Sequence, residues 1–154
     1  MNSAVIHDTF TIERTLKASR ERAFAVWSNK DLKARWFAGP ADVWTPVKRE
    51  LEFKVGGKET VLGSFSQGGS SHFDAVYMEI VDQTRIVYAY RMTVNGDLMS
   101  VSLTTVEFED SGAGTRMKFT EQGAFFTGDA GDVKQRMVGS EMLVSNIARF
   151  LEEN

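Results

Sequence analysis

Hydrophobic and polar positions alternate along most of this chain, and the alternation changes period only near its two helical stretches. In 5–16, Phe10, Ile12 and Leu16 interleave with Thr11, Glu13 and Thr15. That period of two predicts a half-buried first strand. Ser19 then offers a helix N-cap, and the following segment RERAFAVWSN places Ala23, Phe24 and Trp27 at helical spacing. Asp31 is positioned to cap a second short helix, DLKARWF, which stops before Gly39-Pro40. From 43 to 122 the pattern predicts strands at 43–55, 58–66, 72–81, 85–94, 99–109 and 115–122. Turn residues separate them, including Asn95-Gly96-Asp97 and Ser111-Gly112-Ala113-Gly114. Short turns between successive strands imply an antiparallel meander, because parallel strands need long crossovers.

The last segment, from about Asp129 to Glu152, changes to a helical period. Val133, Met137, Ser140, Val144, Ile147 and Leu151 recur every three or four residues, and Leu143 and Phe150 widen the stripe. Asp129 and Asp132 suit the positive N-terminal end. Gly139 sits mid-helix, where glycine costs about 1 kcal/mol relative to alanine. A sheet with one apolar face and one long amphipathic helix bury those faces against each other. The expectation is a single α+β domain over 1–154: a curved antiparallel sheet of about seven strands, two short helices after the first strand, and a long C-terminal helix packed on the sheet with a cavity between.

Composition narrows the function. The chain has 154 residues, 42% hydrophobic and 25% charged, with a net charge of −3. These are ordinary globular values. The slight acidity argues against a nucleic-acid partner and gives no attraction to anionic lipid. There is no cysteine, so disulfides, thiolate chemistry and Cys-based zinc sites are excluded. With only His7 and His72, a histidine-rich metal site is excluded too, and no calcium or magnesium loop is recognisable. The start shows no signal peptide and no run approaches a membrane span, so a cytoplasmic protein without a cofactor or metal is expected. The motifs G-x-S-x-G, H-E-x-x-H, the P-loop and G-x-G-x-x-G before a helix are absent.

Four ordered segments carry a resemblance: TLKASRERAFAVWSN with DLKARWF; the hairpin FKVGGKE; SHFDAVYMEIVDQTRIVYAY; and GAGTRMKFTEQG with the C-terminal helix. In this order they resemble the START-like (helix-grip) superfamily, and within it the group named after the activator of the 90-kDa heat-shock chaperone's ATPase. The resemblance implies an internal cavity, used across the superfamily for lipids, polyketides and other hydrophobic molecules. Some relatives are cyclases or dehydratases. Relatives often carry Gly-Trp early in the last helix, whereas this chain has Gly139-Ser140, which removes a bulky group at the cavity.

Alternation selects the side chains that would face the helix. Ile86, Tyr88, Tyr90 and Met92 share one face; Ser100, Ser102, Thr104, Val106 and Phe108 share another; so do Thr115, Met117, Phe119 and Glu121. For 72–80 the inward set is taken as His72, Asp74, Val76, Met78 and Ile80. The candidate lining is therefore His72, Asp74, Met78, Tyr88, Tyr90, Ser102, Thr104, Phe119 and Glu121. Trp27, Trp36 and Phe37 join it from the small helices, and Met137 and Ser140 from the long one. A register slip or bulge would reverse any one strand's set. Core packing is the plain alternative for the aromatic and methionine positions, and solvated strand ends for His72, Asp74 and Glu121.

Three readings follow. The leading one is a module that binds a small hydrophobic molecule. The second is a cyclase, dehydratase or hydrolase in which His72 with Asp74 or Glu121 forms an acid–base pair and Tyr88 or Tyr90 donates to a carbonyl. The third is a chaperone-interacting module. Homodimerisation through the outer face of the sheet stays open.

Overall fold

A computed structural model describes residues 4–154. The elements follow in the order β1 (Ile6–Leu16), α1 (Arg20–Ser28), α2 (Lys30–Ala34), β2 (Trp44–Leu51), β3 (Lys58–Phe65), β4 (Ser70–Val81), β5 (Arg85–Val94), β6 (Asp97–Ser111), β7 (Gly114–Phe125) and α3 (Ala130–Glu153). The seven strands form one antiparallel sheet ordered β1-β7-β6-β5-β4-β3-β2. The meander predicted from the turns is present, and β1 adds to its far side against β7, with Ile12 opposite Phe119. The α+β helix-grip architecture expected from the hydrophobic pattern is the observed one.

Local chemistry explains the element ends. Ser19 caps α1, its hydroxyl accepting from the Arg22 N–H. The cap of α2 is Asn29, not Asp31: its side-chain oxygen accepts from the N–H groups of Asp31 and Leu32. Asp31 lies one residue inside the helix, where its charge still favours the N-terminal end. Asp129 caps α3 through a 2.8 Å bond from the Gly131 N–H. The β5–β6 turn places Asn95 and Gly96 both at positive φ (52° and 84°), the backbone of a two-residue hairpin matched to strand twist. The strand expected over 43–55 ends at Leu51 and gives way to a turn.

The core lies between the concave face of the sheet and α3. Val144, Ile147, Ala148 and Leu151 of α3 meet Ile86, Val106, Phe108, Met117 and Phe119 of the sheet. Helix α2, expected to run through Phe37, ends at Ala34, and Trp27 of α1 with Trp36 of the turn after α2 close one end, their rings crossing edge to face at 4.7 Å. Trp36 is held by its indole N–H, which donates 2.8 Å to the Val26 carbonyl. Arg14 donates to the Ser145 hydroxyl and Arg22 to the Leu151 carbonyl, tying the first strand and α1 to α3.

Strand β4 departs from the sequence reading. A bulge between Tyr77 and Glu79 leaves Met78 without a partner on β5. Before the bulge Phe73, Ala75 and Tyr77 are buried, and after it Ile80 packs against the core. One extra residue changes the parity of the strand. His72, Asp74 and Met78 consequently lie on the outer face, with Met78 51% exposed. Their expected place in the cavity is thus corrected.

Candidate functional site

The inner face and α3 do not meet everywhere. Toward the N-terminal half of α3 they separate around a cavity of about 300 Å³. This lies at the lower end of the range for small-molecule sites. Many of its walls are aromatic: Trp27 from α1, Trp36 and Phe37 from the turn after α2, Phe73 from β4, Tyr88 and Tyr90 from β5, and Phe119 from β7. Phe73 bridges the two groups, with ring centroids 4.9 Å from Phe37 and 4.8 Å from Tyr90. Trp44 forms part of the rim and donates 2.9 Å from its indole N–H to the Ser71 hydroxyl. Gly63 makes this possible, since a Cβ there would come within 2.0 Å of the Trp44 ring.

The α3 wall consists of Gln135, Arg136, Gly139, Ser140, Met142, Leu143 and Val144. Nothing lies within 4 Å of the position a Gly139 Cβ would take. Replacing Gly139 with alanine is therefore expected to add about 1 kcal/mol of stability, the helix-propensity gain without a clash. A urea titration that shows no rise in midpoint would contradict the open space at this position.

One polar cluster interrupts the apolar wall. Glu121 is 1% exposed. Its Oε2 accepts from the Tyr90 hydroxyl at 2.7 Å, the Ser102 hydroxyl at 2.7 Å and Arg136 Nη1 at 3.2 Å. Arg136 also donates 3.0 Å to the Tyr90 hydroxyl oxygen and 2.8 Å to the Ser100 hydroxyl. Its guanidinium lies 5.3 Å from the Phe125 ring centre. The carboxylate is thus buried with a counter-charge and hydrogen bonds, the condition for keeping a charge inside a protein. Burial, with the Glu121 charge beside it, pushes the Tyr90 hydroxyl well above its usual range. It remains a donor at any physiological pH. Tyr88 is likewise held protonated by burial.

A second buried charge pair lies just behind the aromatic wall. Lys33 Nζ is 2.6 Å from Glu59 Oε1, and Tyr77 donates to the same oxygen at 2.6 Å. Five rings surround the ammonium at 4.8–5.9 Å: Phe37, Trp27, Tyr88, Trp36 and Phe73. All five also line the cavity. Burial lowers the Lys33 pKa, opposed by the attraction of Glu59.

Of the residues expected to line the cavity, Trp27, Trp36, Phe37, Tyr88, Tyr90, Phe119, Glu121 and Ser140 do so. Ser102 is buried behind the wall and acts on it by donating to Glu121. Thr104 is buried beside Glu121 in register, outside the lining, and its hydroxyl has no partner. Met137 is half-buried on α3 away from the cavity. His72, Asp74 and Met78 are on the opposite face, where Asp74 accepts 3.4 Å from the Thr60 hydroxyl. Sequence reasoning missed Arg136, Lys33 and Glu59. Arg136 follows Val133 by three and precedes Ser140 by four, which places it on the buried stripe, and that spacing was the available signal. Among the described residues, no three His, Cys, Asp or Glu side chains group so as to hold a metal ion. None of their helices is long and apolar enough to cross a membrane.

The fold and its cavity define a helix-grip protein of α+β class. The family described as activator of Hsp90 ATPase homolog 1-like protein matches residues 17–152, and the chain belongs to that family. It is similar in structure to an uncharacterized protein from Rhizobium leguminosarum, with 40% identity over 98% of each chain and a TM-score of 0.92. A protein from Rhizobium loti is 41% identical over 95% of this chain and 98% of its own, with a TM-score of 0.86. An AHSA1-like protein from Aeromonas hydrophila, 20% identical, shares the fold at a TM-score of 0.72 over 95% of this chain and 93% of its own. No curated protein matches.

Proposed function

We propose that this protein binds a small hydrophobic molecule in the cavity beneath α3. One observation carries the reading: an apolar chamber of about 300 Å³, walled by seven aromatic rings and interrupted by the polar cluster around Glu121. Apolar walls supply affinity through burial, and a few placed polar groups supply orientation.

The catalytic reading loses its motive. The acid–base pair it required was His72 with Asp74 or Glu121, and His72 lies with Asp74 on the outer face of β4. Tyr88 and Glu121 remain inside, but Glu121 is tied to Arg136, and no histidine lines the cavity beside them. No particular contact favours a chaperone interface.

Native mass spectrometry of the protein purified from its own host tests the proposal. The expected result is a co-purifying small molecule that is absent from Ser140→Trp, in which an indole occupies the chamber from α3. An environment-sensitive apolar dye is expected to bind the variant roughly tenfold more weakly or worse. A protein that emerges empty and binds dye equally well with and without the substitution would refute it.

A further inference from the structure

The polar cluster is unevenly occupied. All three donors aimed at Glu121 converge on Oε2. Its Oε1 takes no hydrogen bond from the described residues. A carboxylate has about four lone-pair sites, so one lobe of a buried, charge-neutralised acceptor is left for the cavity that Glu121 lines. The chamber therefore presents an unfilled acceptor within a largely apolar surface.

Resting on the binding function proposed above, we infer that Glu121 is the specificity-determining residue of the cavity, and that it selects an apolar ligand bearing a hydroxyl group, an alcohol or a phenol. A hydroxyl donates to Oε1, and the apolar remainder of the ligand packs against the rings. A hydrocarbon or an ether leaves the Glu121 lobe unsatisfied, a cost that grows with burial. A ligand carboxylate brings a second negative charge beside Glu121 with Arg136 already committed to it. Fatty and aromatic acids are thereby disfavoured, although an arginine faces the cavity.

Isothermal titration of the whole protein with naphthol, its methyl ether and naphthoate tests this. Naphthol is expected to bind roughly tenfold or more tightly than either analogue. In Glu121→Gln the preference is expected to shrink to within roughly threefold, because a neutral amide neither repels the acid nor accepts as strongly. The wild-type ratios are decisive even if that variant does not fold. Equal binding of all three, or tightest binding of naphthoate, overturns the hydroxyl inference and leaves the cavity's binding function standing. Failure of all three to bind up to their solubility limits overturns both.

Discussion

Replacing Lys33 with alanine is expected to destabilise the fold by about 3–5 kcal/mol, the cost of leaving a buried partner charge uncompensated. Lys33 is 2% exposed and Glu59 3%. After the substitution Glu59 keeps only the Tyr77 hydroxyl, and the five rings that packed around the ammonium lose their central contact. Glu59→Ala is expected to cost a similar amount for the mirror-image reason, an ammonium buried among aromatics with no counter-ion. Removing both charges at once, as Lys33→Met with Glu59→Leu, is expected to cost far less than the sum of the singles. Urea unfolding of the four proteins measures each loss against the wild type. A single-variant loss below about 1 kcal/mol would mean that the pair is hydrated in solution, and would sink this account.

Alkaline unfolding is the second large effect, and the three tyrosines drive it. The chain contains only Tyr77, Tyr88 and Tyr90. Burial, with Glu59 or Glu121 nearby, raises all three far above the usual phenolic range. Below a pH of about 10 both the folded and unfolded chains hold these protons, so stability is unaffected. Above it the unfolded chain releases three protons that the native state retains. Stability must then fall as pH rises, by about 4 kcal/mol per pH unit for three groups. Lys33 acts in the opposite sense, because its folded pKa is lowered. That contribution ends once the unfolded lysine also deprotonates near 10.4, so it cannot offset the tyrosines beyond that point. A domain of ordinary stability is expected to unfold between roughly pH 11 and 13. Tyrosinate absorbance should rise in the same transition in which far-ultraviolet dichroism is lost. Tyrosinate appearing near pH 10 with the dichroism intact would show that the rings are accessible in the native state.

Both effects arise from pairings that span long stretches of sequence, which is why the chain alone did not reveal the Lys33 pair. Lys33 lies on a five-residue helix, where a lysine ordinarily reads as solvated. Glu59 is a lone acid on a strand, 26 residues away. Neither spacing nor composition joins them. Glu121 was legible, because β7 alternates without interruption from Thr115 to Phe125. Its partners Tyr90 and Ser102 were legible for the same reason, since β5 and β6 keep their parity through the positions that matter. Arg136 was not singled out. A charge on a helical stripe signals burial only when something across from it is known to need that charge.

What the sequence by itself determined was the architecture: seven strands, three helices, their order, and the long helix gripped by the sheet. These follow from the period of apolar positions and from turn residues, which are local properties of the chain. It also determined which face of β5, β6 and β7 looks inward. Only the tertiary structure decided the inner face of β4, because one unpaired residue at Met78 reverses the alternation on either side of it. It alone decided that aromatic rings dominate the chamber's sheet side, with His72 and Asp74 excluded. It decided as well that its single charged feature is Glu121 held by Arg136, a contact between a strand and a helix that only packing brings within 3.2 Å.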